Sequence, residues 1–310
     1  MAWQLTSIVR RVQRLFGAGG PSAPAPLVAT DPAVLRAAQV RDGLRPDERR
    51  AYDTWVADRP EASLVLARVL AGTGRLAPVA EIATAWGGWD ADVQAAVADP
   101  VHHLTKAGTQ TDQTTCGSSS LLMLAAAGDP VLAAWLAAGW LGEHRPPELS
   151  GADDRALAVL AERPPAARFG VLQKVLHRRS NRGALGPLAW PQSLGTPPWG
   201  VARLARYPGV TYGHHMVDDS DRLELADVLA SVAGWVGRGV PVPLFAGGDT
   251  GGGLQAAVPR HVVLAVGTTS AGLEVFEPSS GRVLTLAGGS TGPRPALGGW
   301  SHLVWAVLPR

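Results

Sequence analysis

Two apolar rhythms divide the chain near Gly239. Before it, apolar residues recur at spacings of three and four, as in helices that bury one face. Beyond it they form short Val- and Leu-rich runs bounded by Gly, Ser, Thr or Pro, which predicts strands. Residues 3–16 predict an amphipathic helix, with Leu5, Ile8, Val12, Leu15 and Phe16 on one side and Arg10, Arg11, Gln13 and Arg14 mostly on the other. Such a helix either docks on its own domain or meets a partner or an anionic membrane surface. Residues 17–30 are a Gly/Pro/Ala linker with nothing to pack.

Residues 31–104 predict a small helical subdomain. Its helices open at Asp31-Pro32, Arg45-Pro46 and Pro60-Glu61 and are punctuated by Gly72, Gly74 and Gly87-Gly88. Leu64, Leu66, Val69, Leu70, Val79, Ile82 and Trp86 supply its apolar face. Residues 105–310 then predict one larger domain. An Ala-rich helix follows Cys116, a second opens at Asp129-Pro130, and a helical stretch from Asp153 to about Arg179 is broken at Pro164-Pro165. A Pro-rich loop over 185–199 leads into a short helix at Val201–Arg206, an extended run at Val210–Val217 and a helix over Asp221–Arg238 capped by Gly239. Strands are predicted at Pro241–Phe245, His261–Val266, Leu273–Phe276, Arg282–Leu286 and Leu303–Leu308. Helices come first and strands last, so the fold class is α+β, with an antiparallel sheet that must pack on the Cys116 helix.

Composition agrees with a folded core, at 46% hydrophobic and 17% charged residues. The net charge of +2 and the scattered pairs Arg10-Arg11, Arg49-Arg50 and Arg178-Arg179 make no basic stripe, so no nucleic-acid partner is expected. A single cysteine excludes an intrachain disulfide and fits a reducing compartment. No run approaches the roughly 20 apolar residues of a membrane span. Arg10, Arg11 and Arg14 also occupy the place where a secretion signal needs its apolar centre, so a cytoplasmic protein is expected.

The chemistry concentrates on Gln110 to Gly128, where a Thr/Gly/Ser-rich loop turns into the apolar helix at Cys116. A thiol at a helix start feels the positive end of the dipole, which favours the thiolate a nucleophile requires. Ser118, Ser119 and Ser120 suit the first turn, where side-chain oxygens satisfy orphan amides. His261 heads one predicted strand and Glu277 ends the next, so a hairpin through Gly267–Gly272 makes them neighbours. A carboxylate beside an imidazole fixes its tautomer, and the imidazole activates the thiol. Gln110 is placed to join the Cys116 amide in binding an oxyanion, with Gln113 as its competitor. His102-His103 and His214-His215, near Asp218 and Asp219, lack regular metal-ligand spacing, and neither a metal nor a cofactor is implied. The Gly-rich run at 247–253 lacks the ending of a phosphate loop and reads as a loop beside the cleft. Trp190, Trp199, Trp300 and Trp305 read as core or cleft wall.

Gln-x5-Cys-Gly at a helix start, a downstream His-Val-Val strand and then Phe-Glu-Pro-Ser-Ser-Gly resemble the papain-like cysteine peptidases. Within that superfamily the likeness is to C39-like peptidase domains, and it covers about residues 105–310. The resemblance implies a papain-like fold, Cys116 as nucleophile, His261 as general base and acid, Gln110 as oxyanion donor and Glu277 as orienting carboxylate. It implies a peptide or protein substrate and hydrolysis through an acyl-thioester. The same thioester serves transfer to an amine or deamidation, and a silent binding module keeps the same fold. In those families the third position is usually Asp or Asn. Glu277 is one methylene longer, so either its backbone retreats or its orienting role weakens.

Overall fold

A computed structural model describes residues 7, 9, 10, 12, 30–184, 186, 188–248, 259–288 and 293–310. Six strands form its sheet: β1 (Tyr212–Met216), β2 (Val242–Gly247), β3 (His261–Thr269), β4 (Gly272–Glu277), β5 (Arg282–Leu286) and β6 (His302–Pro309). Their order is β1-β6-β2-β3-β4-β5, and all five pairings are antiparallel. The class is α+β. β3 and β4 continue to a pairing of Thr269 with Gly272, so their hairpin closes later than the Gly267–Gly272 turn predicts.

Strand alternation explains how both faces of this sheet are buried. Phe245, Val262, Leu264, Phe276 and Val304 turn toward the core of the Cys116–Gly128 helix, where Leu121, Leu122 and Leu124 are fully or almost fully enclosed. Leu244, Ala246, Val263, Ala265, Val275 and Leu303 face the other way, onto Val228, Val232 and Val236 of the Arg222–Val236 helix. The sheet is therefore covered on both sides. Two covered faces need near-continuous apolar strands, which is what Val242–Gly247 and the first half of β3 provide.

The first core runs on without a break into the helices of residues 32–103, through Leu66, Val69, Val79 and Ile82 to Leu132 and Trp135 of the Pro130–Ala138 helix. Their starts follow local chemistry: Asp31, Asp90 and Asp129 each accept backbone amides of the helix that follows. Arg168 fastens the Pro165–Asn181 helix to its neighbours. Its buried guanidinium donates to the carbonyls of Leu136, Ala137, Ala161 and Arg163.

Several expectations are corrected. Leu64 is 41% exposed and Val65 takes its place in the core, at the edge of a buried face that keeps Leu66, Val69 and Leu70. The Arg222–Val236 helix closes on Gly239 as expected: with φ at 80° its amide donates to the Val236 carbonyl at 3.0 Å and that of Val240 to the Trp235 carbonyl at 3.1 Å. The short helix after the Pro-rich loop is Pro198–Leu204, set by Pro at its start. In the N-terminal segment Arg10 points inward and pairs with buried Glu224 at 2.9 Å, while Val12 is 46% exposed. Arg10 is thus committed to an internal ion pair. The linker from 17 to 29 and the Gly-rich loop from 249 onward lie outside the described residues.

Among the described residues no single helix is long and apolar enough to cross a membrane. The pair Cys116–Gly128 and Pro130–Ala138 is bent by 115°, and both helices are buried as the centre of the first core.

Candidate functional site

The nucleophile candidate is set by a hydrogen-bonded loop. Thr115 Oγ1 accepts the amides of Thr111 and Asp112 at 3.0 and 3.1 Å and donates to the Asp112 carbonyl at 3.1 Å, winding the chain into the helix that starts at Cys116. Gln173, wholly buried on the Pro165–Asn181 helix, holds the same loop from beneath. Its Oε1 accepts from the Thr111 amide at 3.1 Å and its Nε2 donates to the Thr109 carbonyl at 3.0 Å.

The serines act differently from the capping role their positions suggest. No side chain caps this helix start. Ser118 donates to the Thr115 carbonyl at 3.0 Å, Ser119 to the Gly108 carbonyl, and Ser120 to the Val262 carbonyl at 3.3 Å. Buried hydroxyls next to carbonyls are better used as donors, and these three weld the helix to the loop and to β3. Among the described residues, no carbonyl or side-chain oxygen accepts the Cys116 amide, which leaves it available to an incoming oxygen.

His261, at the head of β3, places Nε2 at 2.7 Å from Glu277 Oε1, as the hairpin reading expects. Glu277 ends β4 and curls into the turn that follows. Its carboxylate also accepts the Ser279 amide, the Ser279 hydroxyl and the Ser280 amide, each at 2.8 Å. The extra methylene is absorbed by this turn, so the longer side chain still meets the imidazole. Burial opposes its ionisation, but the bonds from His261 and the two serines outweigh that and hold the carboxyl down at about 2.

The structure brings Cys116 to His261. Burial works against a charged imidazole, yet hydrogen bonding and charge from Cys116 and Glu277 carry His261 up to about 9. With Nε2 taken by Glu277, Nδ1 is the ring nitrogen left for the sulfur. Cys116, His261 and Glu277 are 3%, 6% and 2% exposed, so the three polar groups face one another in a medium that strengthens their attraction.

Gln110 donates its backbone amide to the Pro278 carbonyl at 2.9 Å and is half-buried, with Oε1 shielded and unpartnered among the described residues. Gln113 is exposed. Of the two, Gln110 is the one built into the site's framework.

Two contributors escape the sequence reading. Gln173 and His177 are polar residues on the buried face formed by Phe169, Leu172 and Leu176, and that break in an apolar stripe is the signal for Gln173. Thr196, 5% exposed, packs so closely on Gly117 that a Cβ there would lie 2.7 Å from the Thr196 Cβ. It sits in the Pro-rich loop, where no periodicity marks it.

The remaining candidates lie elsewhere. His102 lies in the short helix Pro100–His103 and bonds Asp99 at 2.8 Å. His214 and His215 are on β1, with His215 3.4 Å from Glu224, and Asp219 is 3.1 Å from His302. Among the described residues no three His, Cys, Asp or Glu side chains gather as a metal site. Trp190, Trp199, His214 and Trp305 make a chain of ring contacts at 5.3, 6.3 and 6.3 Å beside the β1 edge, and Trp300 is half-buried. No protein-family model, curated protein or solved structure matches the chain.

Proposed function

We propose that this protein is a thiol hydrolase of papain-like build, which opens the carbonyl of a peptide or related amide through an acyl-thioester on Cys116. The observation that carries this reading is the convergence of a thiol at a helix start, an imidazole and an ionised carboxylate drawn from distant parts of the chain.

In this reading the Cys116 thiolate attacks the carbonyl carbon, and the negative oxygen is met by the Cys116 amide with help from Gln110. The His261 imidazolium gives its Nδ1 proton to the departing amine as the carbon–nitrogen bond breaks, leaving the thioester and a neutral imidazole. That imidazole takes a proton from water, whose oxygen attacks the thioester. Collapse releases a carboxylic acid and restores the thiolate–imidazolium pair. Glu277 keeps the ring in register throughout and supports its charge. An amine in place of water gives acyl transfer by the same route.

The test is labelling with a peptidyl acyloxymethyl ketone, followed by mass spectrometry and a scan of peptide substrates. One adduct on Cys116 is expected, with labelling and turnover lost in Cys116→Ala and labelling slowed at least 100-fold in His261→Ala. Turnover that survives Cys116→Ala, or a wild-type thiol that stays inert, overturns the proposal.

A further inference from the structure

The ring that this mechanism depends on is backed by bare main chain. Residues 294–300 fold into a short turn whose bonds interlock: the Arg294 carbonyl accepts the amides of Leu297 and Gly299, Gly298 donates to Pro295, and the amide of Arg294 returns to the Trp300 carbonyl. Ala296 and Leu297 anchor it in the second core, at 2% and 0% exposure. This fixed turn delivers Gly298 against His261. A Cβ on Gly298 would lie 2.5 Å from the ring Cδ2, 2.7 Å from Nε2 and 3.1 Å from Cγ. Those distances are shorter than van der Waals contact allows, and Nε2 is the atom bonded to Glu277.

We infer that Gly298 is a positioning residue, whose missing side chain lets the His261 imidazole reach Glu277 and Cys116 together while the turn blocks its rotation away. The inference rests on the thiol hydrolase reading. Among the described residues, Cys116 and Glu277 are the titratable groups that act on the ring, and the neighbouring turn adds only main chain at the point of contact. A methyl at 298 would collide with the ring itself, and making room for it on the anchored turn displaces the ring from line with both partners.

Gly299 supplies the control. Gly298 and Gly299 both have positive φ, at 64° and 85°, so alanine strains the backbone at either position. Only Gly298 touches the ring, since a Cβ on Gly299 meets nothing within 4 Å.

The experiment compares wild type, Gly298→Ala, Gly299→Ala and His261→Ala/Gly298→Ala by the pH dependence of iodoacetamide alkylation and by melting temperature. Wild type and Gly299→Ala are expected to react rapidly at pH 6–7. Gly298→Ala is expected to react at least tenfold more slowly there and to approach the profile of an ordinary thiol, near pH 8.5. The double variant is expected to melt within a few degrees of His261→Ala, because the obstructed ring is gone, and this holds even if Gly298→Ala alone fails to fold. Equal behaviour of Gly298→Ala and Gly299→Ala, or a double variant as unstable as Gly298→Ala, overturns the inference. An inert wild-type thiol instead overturns the thiol hydrolase reading, with the melting comparison still deciding whether Gly298 sets the ring.

Discussion

The main-chain amide of Gln110 is bonded to the carbonyl of Pro278 at 2.9 Å. That bond joins the loop before Cys116 to the turn after Glu277, so two of the three segments of the candidate site share one backbone contact. The third, the start of β3, is joined to the Cys116–Gly128 helix through Ser120 and Val262. Displacement of one segment is therefore felt by the others.

In the proposed mechanism the pH profile of acyl transfer carries the signature of the His261–Glu277 pair. His261 must be protonated to expel the leaving amine, so the alkaline limb is expected near pH 9, where the ring loses its proton. Glu277 is one of the groups that raise the ring, and replacing it with Gln removes a negative charge. In Glu277→Gln the alkaline limb should move to lower pH, and an unmoved limb in a kcat/KM profile would refute the assignment.

Stability follows the same two groups with opposite signs. His261 is raised from 6.5, so its contribution is complete below about pH 6.5 and is lost as pH rises through about 9. Glu277 is lowered from 4.5, so its share is present above about pH 4.5 and is lost as pH falls through about 2. Urea midpoints measured from pH 3 to 10 should show the wild type's advantage over Glu277→Gln greatest between pH 4.5 and 6.5 and smaller on both sides.

Gln173→Leu tests the support beneath the nucleophile loop. It leaves the Thr111 amide without this acceptor and removes donors from the Gly108 and Thr109 carbonyls, at a cost of about 1–3 kcal/mol. Because the same loop carries Gln110 and leads into Cys116, kcat should fall more than stability alone explains. The check is turnover well below the unfolding midpoint, compared with Gln173→Glu, which keeps the acceptor.

Arg168→Lys should weaken the fold without altering the chemistry. A lysine cannot reproduce a fork that serves four carbonyls, and the loss is expected to be about 2–3 kcal/mol in denaturant. Iodoacetamide reactivity of the folded protein should be unchanged. A change in thiol reactivity would mean that this helix junction is coupled to the site.

The sequence revealed elements more readily than the facing of individual side chains. Asp31-Pro32, Asp129-Pro130 and Asp221 mark helix starts because capping is a local transaction between an oxygen and nearby amides. His261 and Glu277 were legible as neighbours because one hairpin relates them, although the bulge between Ala265 and Gly267 that shifts its register was not. Arg10 was misread because an arginine on an amphipathic helix ordinarily faces water, whereas here it meets the tertiary partner Glu224, far along the chain, in the interior. Thr196 and Gly298 were invisible for a related reason. Each matters through the space it leaves or fills beside a residue distant in sequence, and no spacing rule records a fit of that kind.

The interior position of β6 has a consequence for synthesis. It lies between β1 and β2, although it follows every other strand in sequence. On the ribosome, β2 lacks one neighbour until His302–Pro309 emerges, and the Gly298 turn arrives only just before it. Such late, long-range pairing is slow to complete. On the proposed reading, a nascent chain should thus carry its cysteine in a quiet form, arming it only once this last seam of the sheet has closed.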